Sequence, residues 1–131
     1  MRTKTLVVGM ELNRYPIMML GIISFINATG FSYVKILSGI VSEEVWLNIF
    51  PTLDKSRLKH LTSSPSMFLI VEGDNSVKKM ADKVREVSEY YRDNTKGWKG
   101  SISSSTSLES AETEIKIAVA YSEKQTDSGG L

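Results

Sequence analysis

MFLIVEGDNSVKKMADKVREVSEYY, residues 67–91, changes its period part-way along. Met67 to Val71 is an unbroken apolar run of strand length. Asp74 and Asn75 then open a charged helix that continues to Tyr91. Upstream, Ser63-Ser64-Pro65 reads as a turn and Asp54 to Leu61 as a short helix, cut off by Pro51 from a helix over Glu43 to Ile49. Ser42 is the N-cap of that earlier helix, with acidic residues in its first turn where the helix dipole favours them. Phe31 to Val41 is a strand rich in β-branched residues. Before it, Pro16 suits the first turn of a helix that runs to Thr29 and stops at Gly30. Thr5 to Gly9 is a buried strand carrying Leu6, Val7 and Val8.

Downstream, Asp93 to Gly100 is a loop and Lys99 to Ser103 a weak fourth strand. Thr106 and Glu109 have the spacing of a capping box. Leu108, Ala111, Ile115 and Ala118 or Val119 share one face of the helix it opens. Ser122 to Leu131 reads as a polar tail, so the expected division is a domain over 1–121 and a tail over 122–131. The order β-α-β-(α)-β-α-β is that of a ferredoxin-like α+β domain, a four-stranded antiparallel sheet with helices on one face. That topology hosts many unrelated functions and names none of them.

Composition narrows the field. A chain of 131 residues forms one domain that buries about two-thirds of its unfolded surface. Sixteen basic residues against fifteen acidic ones create no global field to recruit nucleic acid. The absence of cysteine excludes disulfides and thiolate chemistry and fits a reducing compartment. Met1 to Val8 reads as a strand rather than a signal peptide. The twenty residues between Arg14 and Lys35 carry no charge, but Pro16, Gly21, Ser24, Asn27, Thr29, Gly30 and Ser32 break them into helix, turn and strand, not a membrane span.

The run Ser105-Thr106-Ser107-Leu108-Glu109-Ser110-Ala111-Glu112-Thr113-Glu114-Ile115 resembles the signature of the nucleoside diphosphate kinases. Three further blocks extend the resemblance from Thr5 to Val119. Thr5-Leu6-Val7-Val8 is similar to the family's opening strand. Gly21-Ile22-Ile23 with Gly30-Phe31 and Ser42-Glu43-Glu44 resembles its first helix, second strand and next helix start. Ser63-Ser64-Pro65 through Val71-Glu72-Gly73-Asp74-Asn75-Ser76-Val77 resembles its serine-glycine-proline strand and the turn after it.

In that family the phosphate-carrying histidine lies two residues before the serine triplet, and here that position is Ser103. The resemblance also puts Met10 at the family's lysine, with Glu11 and Leu12 beside it, and Phe50 at its pocket tyrosine. Ala81 falls at its first phosphate-binding arginine and Gly100 at its sugar-contacting asparagine. Two loops, between Phe50 and Ser63 and between Ala81 and Gly100, are shortened. Ser105 matches the triplet's first serine and Glu114 the acid that orients the histidine; both read as relics. A serine hydroxyl needs an adjacent base to become nucleophilic. Phosphoryl transfer depends on positioning and on cations around the phosphate oxygens, and Met10 and Ala81 are not cations. The resemblance therefore implies a scaffold without catalysis, with neither cofactor nor metal.

Other features weigh less. His60, between Lys59 and Leu61, reads either as a displaced phosphocarrier or as a solvated residue on a short helix, and the second fits better. Lys78, Lys79, Lys83 and Arg85 alternate with Asp82, Glu86 and Glu89, as on a solvated helix face. Tyr90, Tyr91 and Trp98 lie beside a shortened loop and read as its filling. Gly129-Gly130 lacks the context of a phosphate loop.

The first helix is the exception. Ile17-Met18-Met19-Leu20-Gly21-Ile22-Ile23-Ser24-Phe25-Ile26 is apolar almost all round, whereas a helix on one sheet face buries only part of its circumference. Met18, Met19, Ile22, Phe25 and Ile26 are thus the candidate interface residues, unless the C-terminal tail or a loop covers them. In the resembling family this helix and the second strand form the dimer contact. The expected function is an inactive kinase-like domain serving as a structural or adaptor subunit. Its partner would be another protein or a second copy, with no nucleic acid and no membrane. Its expected place is cytoplasmic, with ciliary and cytoskeletal assemblies as the family-level precedent. The alternatives are a nucleotide-binding regulatory module that has lost transfer, and an active kinase with a rebuilt site.

Overall fold

The structure is a computed structural model that describes residues 1–128, with side chains through Glu123. The elements run β1 (Arg2–Gly9), α1 (Met18–Thr29), β2 (Ser32–Gly39), α2 (Glu43–Ile49), α3 (Lys55–Thr62), β3 (Ser66–Asp74), α4 (Ser76–Asn94), β4 (Ile102–Ser104) and α5 (Leu108–Ser128). The sheet order is β2-β3-β1-β4 and every pair is antiparallel. Val7 stands opposite Leu69, and Val8 opposite both Phe68 and Ser103.

The strands at the centre carry apolar residues on both faces, and this sets the layering. Val7, Leu69 and Val71 pack with Met18, Ile22, Ile26, Met80 and Val84, from α1 and α4. Leu6, Val8, Phe68 and Ile70 pack on the other side with Trp46, Leu58, Leu61 and Ala118, from α2, α3 and α5. Helices therefore cover both faces of the sheet, which corrects the one-faced arrangement expected from topology. Burial on both sides is the physical reason that residues 67–71 form an unbroken apolar run instead of alternating. At Gly73 the close packing is visible directly, because a Cβ there would collide with the Phe31 ring.

Local signals held where backbone chemistry alone decides. Gly30 ends α1 in the left-handed region at φ 74°, where residues with a Cβ are disfavoured. Asp54 caps α3 by accepting the Arg57 amide at 2.7 Å. The cap of α5 differs from the expected Thr106 and Glu109: the hydroxyls of Ser107 and Ser110 accept each other's backbone amides, at 3.0 and 3.1 Å. The helix then continues to Ser128, so residues 122–128 of the expected tail are helical. Gly129, Gly130 and Leu131 lie outside the described residues.

The larger correction concerns α1. Met18, Met19, Ile22 and Ile26 are buried in the chain's own core, and Phe25 is half-buried, edge-on to Phe31 at 6.2 Å between centroids. The sheet takes one side of the helix and α4 takes a flank, where a Cβ on Gly21 would touch Val87 at 3.9 Å. The exposed apolar residues of this segment are instead Ile17, at 67% of its full exposure, and Leu20, at 59%. Among the described residues no helix is long and apolar enough to cross a membrane.

Candidate functional site

β1 ends at Gly9, and the chain turns inward at its next residues. The Met10 amide donates to Ser101 O at 2.7 Å and the Leu12 amide to Pro65 O at 3.1 Å. Between these fixed points Glu11 adopts φ 55°, an uncommon conformation for a residue with a Cβ. Its side chain is buried and pairs with the Arg57 guanidinium, whose Nη1 donates to Glu11 Oε1. Arg57 Nη2 is also buried and has no hydrogen-bond partner among the described residues. Burial lowers the Arg57 pKa from its ordinary value, because a desolvated cation is less favourable.

Above this pair lies an open cleft of about 520 Å³. Met10 and Ser103 form part of its wall and Phe50 another; Asp54, Arg57 and His60 reach it from the α3 region, Lys99 and Gly100 from the loop before β4. Four of the residues singled out from sequence, Met10, Phe50, Gly100 and Ser103, thus meet in one place. Ala81 does not join them; it is half-buried on α4 and does not line the cleft. His60 is solvent-exposed on a short helix, as expected, yet that helix points it into the cleft. Arg57 and Lys99 join the cleft without having been among the candidates drawn from sequence. For Arg57 a signal existed, since it lies three residues from both the Asp54 cap and His60, and residues so spaced are neighbours on a helix surface.

Ser105 and Glu114 have a job of their own. Ser105 Oγ donates to Glu114 Oε1 at 2.7 Å and accepts the Leu6 amide at 3.3 Å, while the Ser105 amide donates to Leu6 O at 3.0 Å. The carboxylate therefore fixes a hydroxyl that ties the entrance of α5 to β1. This replaces the reading of Glu114 as an acid with nothing to hold.

No protein-family model matches the sequence, and neither does any curated protein. Solved structures do. Nucleoside diphosphate kinase from Aquifex aeolicus aligns with a TM-score of 0.68 at 19% identity, over 90% of this chain and 95% of that one. An NDP kinase from Pyrobaculum aerophilum gives 0.67 at 15%, over 89% and 95%. The fold is nucleoside diphosphate kinase-like.

Within this kinase-like fold a second surface stands out at β2, which among the described residues pairs only with β3 and leaves its other edge free. Tyr33 and Ile36 lie opposite Val71 and Leu69, and so project on the side of the sheet that carries α1. Ile36 is 55% exposed, and Val34 and Ile40 are exposed as well. Gly21 and Phe25 face α4, which leaves Leu20 on the opposite flank of α1.

Proposed function

We propose that this is a catalytically inactive nucleoside diphosphate kinase-like domain that works as a structural or adaptor subunit, docking through α1 and the β2 edge. The observation that carries the docking half is the free edge itself. Among the described residues its backbone lacks a pairing partner on one side, and Val34 and Ile36 are exposed there beside Ser32, Ser38 and a single charged residue, Lys35, where a solvated edge is normally more heavily charged or shortened. Leu20 and Ile36 replace Phe25 and its buried neighbours as the side chains expected to meet the partner.

Inactivity is supported by the cleft's make-up. Ser103 occupies the expected nucleophile position, Met10 and Gly100 stand beside it, and the nearby acid Glu114 is already engaged by Ser105. His60 lines the same cleft, but among the described residues no hydrogen bond joins it to Ser103, and a hydroxyl without an engaged base is a poor nucleophile. A nucleotide-binding regulatory module is the second reading, favoured by Lys99, Arg57 and His60 at the cleft.

Light scattering over a range of concentrations tests the docking. The combined variant Leu20→Glu, Ile36→Glu should keep the circular dichroism of the parent and lose its self-association or its capture of a partner subunit. A parent protein that stays monomeric and captures nothing, or a variant that associates as before, overturns the proposal.

A further inference from the structure

Around α1, three aromatic rings are each met by a cation of the chain's own. Lys79 Nζ lies 5.9 Å from the centre of the Phe31 ring, Lys83 Nζ 5.8 Å from that of Phe25, and Arg14 Cζ 5.5 Å from that of Tyr15. The ring quadrupole attracts a positive charge to such a face. On α4, Tyr91 packs against the core between Tyr15 and Trp98, with ring centres 6.0 Å away on each side. Tyr90 stands edge-on to Tyr91 at 5.6 Å and 80°, yet it is 63% exposed, and among the described residues no cation of this chain lies over it. Beside Tyr90 is a cavity of about 270 Å³ between the start of α1 and α4. Tyr90, Tyr91, Ile17 and Val87 line it, and Glu86 is the one charged residue in its wall among the described residues. Glu86 precedes Tyr90 by four positions, so the two are neighbours on one face of α4. Lys83 Nζ, already over Phe25, donates to Glu86 Oε2 at 3.4 Å, and Glu86 Oε1 has no partner among the described residues.

We propose that this cavity receives an arginine side chain of a partner protein: the guanidinium stacks on the Tyr90 ring and donates to Glu86 Oε1, while its methylene stem lies along Ile17 and Val87. The cavity is smaller than the roughly 300–1,000 Å³ of sites that enclose a whole small molecule, and it suits one long side chain. Arginine fits better than lysine, because a planar, weakly hydrated guanidinium can stack on a ring and reach a carboxylate at the same time. The stem also accounts for Ile17, an apolar residue left 67% exposed in a wall that carries a carboxylate. The cavity lies on the α4 flank of α1, away from the β2 edge, so it is a contact additional to the docking proposed above and independent of it.

The probe is a short glycine peptide with blocked ends and a single arginine, titrated into the full chain while NMR follows the Tyr90 ring and the methyl groups of Ile17 and Val87. Saturable shifts at these three residues, at millimolar peptide, are the expected result. The same peptide with citrulline, which keeps the shape and removes the charge, should bind at least about tenfold more weakly, and the lysine peptide should also bind more weakly than the arginine one. Tyr90→Leu keeps apolar area but removes the ring, and should weaken the arginine peptide about threefold to tenfold. Glu86→Gln should weaken it about twofold to fivefold. Both side chains are exposed, so both variants should keep the circular dichroism and the light-scattering behaviour of the parent. No shift at the three residues, an equal response to citrulline or lysine, or binding untouched by Tyr90→Leu overturns the proposal. Tighter binding of tetramethylammonium than of the arginine peptide would assign the cavity to a quaternary ammonium and overturn it as well. Loss of the parent's self-association in either variant would merge the cavity with the β2 surface and overturn it as a separate contact.

Discussion

The cleft and the β2 edge lie on the same sheet and have opposite accounts of their unsatisfied groups. At the cleft the chain partly closes upon itself: Glu11 takes Arg57 and Asp54 takes an α3 amide. At the edge it leaves a row of backbone groups and the exposed side chains of Val34, Ile36 and Ile40 facing outward. A site meant for a changing series of small ligands keeps polar groups free to meet them. A surface meant for one lasting partner can stay apolar until that partner arrives. The difference supports the proposed docking through the edge.

The sharpest way to break that contrast is to look for turnover at the cleft. The purified protein, given a labelled nucleoside triphosphate, should form no acid-labile phosphoprotein and transfer no phosphate to a diphosphate. Transfer that vanishes in Ser103→Ala or His60→Ala would make the cleft the working surface after all. A smaller effect is expected where the entrance of α5 is stitched to β1. Glu114→Ala removes the acceptor of the Ser105 hydroxyl, and denaturant unfolding should show a loss of about 1–3 kcal/mol. Since neither residue touches the β2 edge, association should not change. The smallest is expected at the α3 cap. Asp54→Ala should cost about 1 kcal/mol, the typical value for a lost N-cap. It should also loosen the helix that carries Arg57 and His60, detectable as faster amide exchange at Arg57.

The same contrast separates what the sequence disclosed from what it concealed. β1 and β3 were legible because two-sided burial writes an apolar run into the chain, and Gly30 because a left-handed residue leaves few choices of side chain. The bounds of α2 emerged as read, framed by Ser42 and Pro51. The facing of α1 was concealed: a helix apolar all round does not say which side meets the sheet, and α4, distant in sequence, took a flank that seemed to need a partner. The cleft was half legible. Met10, Gly100 and Ser103 were placed by resemblance, but Arg57 and His60 reach it through the docking angle of α3, a tertiary property; their local spacing marks a shared helix face but not what that face meets. The pairing of Glu11 with Arg57 spans 46 positions and was invisible for the same reason.

The double tie between Ser105 and Leu6 bears on how the molecule is assembled. β1 precedes both of its neighbours in the sheet, β3 and β4, and its amide at Leu6 waits for a hydroxyl 99 positions away. Contacts so remote in sequence must absorb the entropy of closing a loop of 99 positions before they return any stability. Folding should therefore be slow and late, completed only when the serine-rich strand and the start of α5 have emerged. Until then the two apolar faces of β1 stand uncovered, and the nascent chain carries its greatest risk of aggregation.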